Sequence, residues 1–480
     1  MDLDPLLLSR LQFAFTISFH IIFPAFTIGL AAWLATLEGL NLFTRRPVYR
    51  RLFDFWLRVF AVAFGLGVVS GVVMAFQFGT NWSELATRTG AIQGPLLAYE
   101  SFTAFLLEAT FFGVLLFGRD KVPPWAYFVS TLMVALGTTF SAFWIMANNT
   151  WMQVPDGFTL NGRDFVPTDW AAILFQDVLW VRFPHMLLGA YLTTAFCVAA
   201  TGAWYLLRVR HETESRIMLI MGLGMAAVLI PAQIIVGHLN GEYTAEHQPG
   251  KYTTIEGRWQ TEQPARLLLL AWPDVEAERN RFELAIPYLG SLVVSGSLAA
   301  EPGIVTVPAD ERPPFLIPFY AFRIMVGLGL LMLALSWGGV WLLVRGRLRG
   351  PECRPRWFLW AVFLSFPSGF VAVLAGWLTA EVGRQPWVVQ DLMRTADALT
   401  PSLDGPAVAI SLAAYLLVYA LIFSAGILYI YRLLRAGLDD EDPPAERTPR
   451  RPLAASGADP GAAQRPAPSA APDAPRPEVS

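Results

Sequence analysis

Hydrophobic positions gather into nine long runs, with approximate limits 13–37, 54–78, 95–118, 124–147, 184–207, 217–238, 315–344, 357–381 and 406–431. Each is close to the roughly 20 apolar residues a helix needs to cross a bilayer. A lone strand could not satisfy its backbone groups in lipid. The pattern therefore predicts an all-α membrane protein with nine transmembrane helices. The expected organisation is helices 1–6 within 1–238, a large connection over 239–312, helices 7–9 within 313–436 and a tail over 437–480. The connection mixes Pro, Gly, Glu and Arg without a strong period and is too long to be a mere link. The tail is rich in Pro, Ala and Arg and is expected to be disordered. No internal repeat is visible, which argues against an inverted-repeat transporter.

Composition agrees: 55% of residues are hydrophobic and 15% charged, against about 25% charged in soluble domains. The net charge of −3 says little, but its distribution is informative. Arg45, Arg46, Arg50 and Arg51 follow the first run, Arg119 and Lys121 the third, and Arg208, Arg210 and Arg216 the fifth. Arg345, Arg347, Arg349, Arg354 and Arg356 follow the seventh, and Arg432 and Arg435 the ninth. The other connections are acidic or mixed. The positive-inside rule then expects the N-terminus outside and the C-terminus inside. Met1-Asp2-Leu3-Asp4 is an acidic start, unlike a cleavable signal peptide. Cys197 and Cys353 lie in different segments, so neither a disulfide nor a thiolate site is expected. No nucleic-acid partner is expected.

Candidate chemistry lies in the ionisable residues inside the runs, which are costly there and often functional. His20 stands in the first run and His185 opens the fifth, behind Pro184 in its first turn. Each is either a histidine bonded to a neighbouring helix or interface, or a ligand. Arg323 lies two turns into the seventh run and calls for an anionic partner, while Met325, two residues on, points to another side. Glu100 and Glu108 stand about 12 Å apart along the third helix, on broadly the same side. Glu381 ends the eighth run and needs a cation, either Arg384 or a metal. Under the expected orientation, His20, His185, Glu100, Met325 and Glu381 share the outer half. Histidine and methionine together suit heme iron, and arginines suit its propionates. Zinc fits poorly without a compact histidine pattern. There is no CxxCH for covalent attachment.

Four separated motifs carry a resemblance: Arg10-Leu11-Gln12-Phe13 with His20, Tyr99-Glu100 with Glu108, Phe322-Arg323-Ile324-Met325-Val326-Gly327-Leu328-Gly329, and Glu381 with Gly383-Arg384-Gln385-Pro386-Trp387. Together, over about residues 5–435, the chain resembles subunit I of cytochrome bd-type quinol oxidases. The 239–312 connection is similar to that family's quinol loop in its short form, as in the cyanide-insensitive subgroup.

The resemblance implies a terminal oxidase that takes electrons from ubiquinol or menaquinol at the outer face. It would reduce O2 to water with protons from inside and build membrane potential without pumping. Hemes would lie between helices in the outer half. His185 and Met325 would hold a low-spin heme b beside Arg323. His20 and Glu381 would each hold a high-spin heme, one a heme b and the other a heme d or a third heme b, with Glu100 near the open face. Trp377 would lie among the hemes. Arg384, with Gln385 beside it, would meet propionates, and Trp387 would brace the rim. Glu108 would carry protons, and Lys251 and Glu256 would serve quinol. The implied partners are subunit II, small single-span subunits and the lipid of a bacterial inner membrane, with the loop on the periplasmic side. Two other readings compete: a heme-free proton-coupled transporter, and a heme-bearing electron-transfer subunit that does not reduce O2.

Overall fold

The computed structural model describes residues 3–350 and 353–438; most of the expected disordered tail lies outside them. The helices are α1 (Pro5–Thr44), α2 (Pro47–Thr80), α3 (Ser83–Tyr99), α4 (Leu106–Phe117), α5 (Pro124–Gln153), α6 (Trp170–Leu174), α7 (Leu179–Leu207), α8 (Glu212–His247), α9 (Pro249–Glu256), α10 (Leu289–Ser295), α11 (Leu316–Val344), α12 (Arg356–Leu364), α13 (Ser368–Val382) and α14 (Gly405–Ala436). Three short antiparallel ribbons join them: β1 (Phe158–Asn161) with β2 (Asp164–Pro167), β3 (Leu267–Asp274) with β4 (Arg279–Ile286), and β5 (Trp387–Val389) with β6 (Met393–Arg394). Among the described residues, nine helical spans are long and apolar enough to cross a membrane.

Local chemistry sets the ends. Asp4 caps α1 by accepting from the Leu6 N–H at 2.9 Å, with Pro5 in the first turn. Arg45 leaves that helix in the left-handed region, and Pro47 opens α2. The helices outrun the apolar runs because polar ends can project beyond hydrocarbon.

Three spans depart from the expected shape. The third is broken by a π turn, Glu100–Phe105, between α3 and α4. The eighth breaks between α12 and α13, where Pro367 cannot donate to the ladder. The fifth begins at Leu179 rather than near Pro184, so that proline lies inside α7 and not in its first turn. Arg182 and His185 therefore share a continuous helix.

α1 packs against α2, α5, α7 and α14, while α7 also meets α8, α12 and α13. Leu34 and Leu37 of α1, Phe53, Trp56 and Phe60 of α2 and Tyr205 of α7 are buried in one apolar cluster. At this arginine-rich end Arg119 pairs both its terminal nitrogens with Glu38, at 3.2 and 2.8 Å. The other end carries the polar chemistry. There α8 runs on to His247, and the 239–312 connection contains α9, the β3–β4 hairpin and α10.

Candidate functional site

Glu381, at the last turn of α13, meets cations and amides together. Its Oε1 accepts from Asn149 Nδ2 at 2.9 Å and Gln153 Nε2 at 3.0 Å, both on α5. Its Oε2 is paired with Arg384. Of the two partners the sequence allowed, the arginine is therefore in place. Arg182 of α7 donates to Asn149 Oδ1 at 2.6 Å and Thr150 Oγ1 at 2.9 Å. Lys251 of α9 donates to Gln153 Oε1 at 2.7 Å and Gln248 Oε1 at 2.6 Å. Its stem passes Gly383, where an added Cβ would lie 2.8 Å from Lys251 Cγ. Arg384 thus pairs with the carboxylate directly, while Arg182 and Lys251 reach it through Asn149 and Gln153. Burial, with Arg182 adding repulsion, holds the Lys251 ammonium well below the usual lysine range. Arg384 Nε is buried without a partner. Gln385 accepts from Thr395 at 2.8 Å, and Trp387 lies under the Arg394 guanidinium. Trp377 is half-buried one turn before Glu381.

The seventh span behaves differently from expectation. Arg323 spends its guanidinium on backbone carbonyls, those of Ile255 at 2.8 Å, Phe319 at 2.9 Å and Leu268 at 2.8 Å. It also stacks on the Phe319 ring, 3.5 Å from its centroid, and its Nε is buried without a partner. Glycines face the two candidate ligands nearby. A Cβ on Gly376 of α13 would lie 3.0 Å from Met325 Sδ, and one on Gly237 of α8 would lie 3.2 Å from His185 Nε2.

His20 is oriented by a residue that sequence reasoning missed. Its Nδ1 lies 3.0 Å from Ser70 Oγ. That hydroxyl also lies within reach of two backbone carbonyls, Gly67 at 2.9 Å and Leu66 at 3.0 Å. A hydroxyl that donates to either carbonyl accepts from Nδ1–H, the arrangement that leaves the Nε2 lone pair for a metal.

Glu100 accepts from Ser141 at 2.9 Å, while Glu108 is buried against Gly137, whose added Cβ would lie 2.7 Å from Glu108 Cγ. The π turn between them changes their angular register from that of an unbroken helix.

Lys251 and Glu256 share α9 but serve different networks. Glu256 accepts from Arg258 at 3.2 Å; Arg258 donates to the Tyr252 hydroxyl at 2.8 Å, and that hydroxyl donates to Glu301 at 2.8 Å. Burial pushes the Glu256 carboxyl above the ordinary glutamate range, against the pull of Arg258. Gly257 closes α9 at φ +77, and a side chain there would strike Phe319. Asn149, Gln153 and Arg182 were also missed, although their place as polar residues at the ends of apolar runs was a signal for them. Ser70, Tyr252 and Glu301 gave no such signal.

Comparisons place this arrangement among known proteins. The family described as cytochrome bd terminal oxidase subunit I matches residues 8–438. Cytochrome bd ubiquinol oxidase subunit 1 of Bacillus subtilis (strain 168) is 33% identical over 92% of this chain and 96% of its own. Cytochrome bd-II ubiquinol oxidase subunit 1 of Escherichia coli (strain K12) is 31% identical over 90% and 97%. The structure of bd oxidase from Geobacillus thermodenitrificans superposes with TM-score 0.83 at 29% identity, covering 91% of this chain and all of that one (100%).

Proposed function

This chain belongs to the cytochrome bd terminal oxidase subunit I family, and from that premise we propose that it oxidises quinol and reduces O2 to water as one subunit of a bacterial membrane complex. The observation that carries the reading is the buried cluster in which Arg182, Lys251 and Arg384 attend the single carboxylate of Glu381. The two arginines, buried against one carboxylate, suit an anionic ligand. The unpartnered Nε atoms of Arg323 and Arg384 suit the same ligand. Gly71, Gly237 and Gly376 bring neighbouring helices close to His20, His185 and Met325 without side chains of their own. These residues fit heme.

In this reading His185 and Met325 would hold a low-spin heme b beside Arg323. His20 and Glu381 would hold the two high-spin hemes, one of b type and the other heme d or a third heme b. Bound heme supplies the one-electron chemistry and the binding of oxygen. The chain's own residues handle protons and position. Glu256, its pKa raised by burial, takes a proton from quinol, and Lys251 binds the ring oxygen. Arg258, Tyr252 and Glu301 continue a polar path from Glu256. Glu108, buried behind Glu100, delivers protons to the oxygen side. The arginine distribution supports an N-terminus outside and a C-terminus inside. Quinol protons then leave outside, consumed protons come from inside, and potential builds without pumping. A subunit II partner, small single-span subunits, ubiquinol or menaquinol as donor, and a short quinol loop of the cyanide-insensitive kind complete the proposal.

The test is a reduced-minus-oxidised spectrum of the purified complex together with oxygen uptake on a quinol donor. A heme spectrum with quinol-dependent uptake is expected. Absence of heme would favour a transporter, and heme without uptake would favour an electron-transfer subunit.

A further inference from the structure

The β3–β4 hairpin carries a surface that the oxidase reading leaves unused. Its strands pair through Leu268↔Ala285, Leu270↔Leu284 and Trp272↔Arg281, with register shifts on either side of Leu270. The inner side of this ribbon is occupied. Leu268 is buried in a cluster with Trp259, Phe315 and Phe319. Asn280 accepts from Trp259 Nε1 at 2.9 Å and donates to the Gly257 carbonyl at 2.8 Å. The outer side is largely apolar and bare: Leu270 is 59% exposed, Trp272 68%, Leu284 56% and Phe282 92%, while Arg281, opposite Trp272, is paired with Asp274 towards the turn. Phe282 also sits at φ +52, a backbone conformation an aromatic residue rarely adopts, at the irregular part of the strand. A contiguous apolar surface of this kind marks an interaction site.

The hairpin's place in the fold identifies the occupant. The Ala271 carbonyl accepts from the Tyr320 hydroxyl at 3.4 Å, and the Leu268 carbonyl from Arg323 at 2.8 Å. Near the turn, Glu278 accepts from Arg312 at 3.0 Å, just before α11 begins. Tyr320 is one turn inside that spanning helix, and the first-turn residues Leu316 and Ile317 are exposed as lipid-facing residues are. Strand β3 therefore runs beside the first turns of α11. A tryptophan with polar groups at the hairpin turn is the composition of a membrane interface.

We propose that the β3–β4 hairpin is a membrane-interface anchor, its Leu270, Trp272, Phe282 and Leu284 face seated in the lipid leaflet that α11 enters. The inference stands whether or not the loop serves quinol.

The test uses the assembled complex in phospholipid nanodiscs, in a Cys353→Ser background. Nitroxide labels are placed through Phe282→Cys, Leu270→Cys or, at the hairpin turn, Glu276→Cys. Power saturation compares relaxation by oxygen, which enriches in lipid, with relaxation by a water-soluble nickel chelate. Labels at 282 and 270 are expected to respond more to oxygen than to nickel, with the opposite order at 276. Nickel-dominated relaxation at 282 and 270 overturns the proposal, because the face is then in water. Exclusion of both reagents also overturns it, because a protein then covers the face. Should either variant fail to assemble, Leu284→Cys reads the same surface.

Discussion

At the scale of single residues, the candidate site depends on partners that fix protons in place. Ser70 holds the His20 ring through a 3.0 Å hydrogen bond at Nδ1. Ser70→Ala should weaken retention of the heme assigned to His20 by roughly 10- to 100-fold, the usual cost of losing a ligand's hydrogen-bond support. Heme content of the purified complex measures it, and full retention would remove Ser70 from the site. Glu256 carries a pH consequence. Its carboxyl is raised above 4.5, so it keeps its proton to higher pH than a free glutamate. As a proton acceptor it must be ionised, so quinol oxidation should rise with pH along a limb set above 4.5. The same shift favours the fold below the unfolded value and loses that contribution as pH climbs through the raised one. Glu256→Gln should flatten the kcat/KM limb, and an unmoved pH profile would exclude Glu256 as the acceptor. His20 and Glu381 were legible because an ionisable group within or at the end of an apolar run is conspicuous, and Arg384 because it follows Glu381 by three residues. Ser70 and Tyr252 were not, because their importance arises only when distant segments meet. Arg323 was legible, but its partners, backbone carbonyls contributed largely by the loop, were not.

At the scale of elements, the breaks in the helices carry most of the information. Apolar length located the spans, yet it could not register the π turn at Glu100–Phe105. A π turn preserves hydrophobicity and changes only the hydrogen-bond pattern. Pro367 was available as a signal for the α12–α13 break, and the surrounding apolar residues masked it. Gly137 tests how closely α4 and α5 must approach. Gly137→Ala should cost about 1–3 kcal/mol by overpacking and displace Glu108. Gly113→Ala, whose Cβ would meet nothing within 4 Å, should be near neutral. Thermal unfolding of the two variants decides, and equal melting temperatures would refute the contact. Glu108→Gln should cut oxygen uptake by roughly 10²- to 10⁴-fold if that carboxyl moves protons in the rate-limiting step. Wild-type uptake and membrane potential would refute the role.

At the scale of the whole molecule, the two ends of the helices differ in kind. One end is closed by arginine–carboxylate pairs such as Arg119–Glu38, and the other gathers the buried amides, lysine and arginines around Glu381. The proposed orientation rests on the arginine distribution and can be checked directly. Glu276→Cys, at the hairpin turn, should react with a membrane-impermeant maleimide in intact spheroplasts, and labelling only after lysis would invert the topology. The first and last spans also belong together. Phe19 and Phe23 of α1 pack against Phe423, and Phe19 also against Tyr419. Ser411 donates to Gln12 at 3.2 Å, 399 residues away along the chain. The packing around Phe19 and Phe23, which flank His20 on α1, is thus supplied by one of the last segments to leave the ribosome. The nascent chain cannot offer a finished compartment to its prosthetic group while it is being inserted. Cofactor loading at the site proposed for His20 belongs to maturation after synthesis, and a chain cut short before α14 would reach the membrane with that compartment open to lipid.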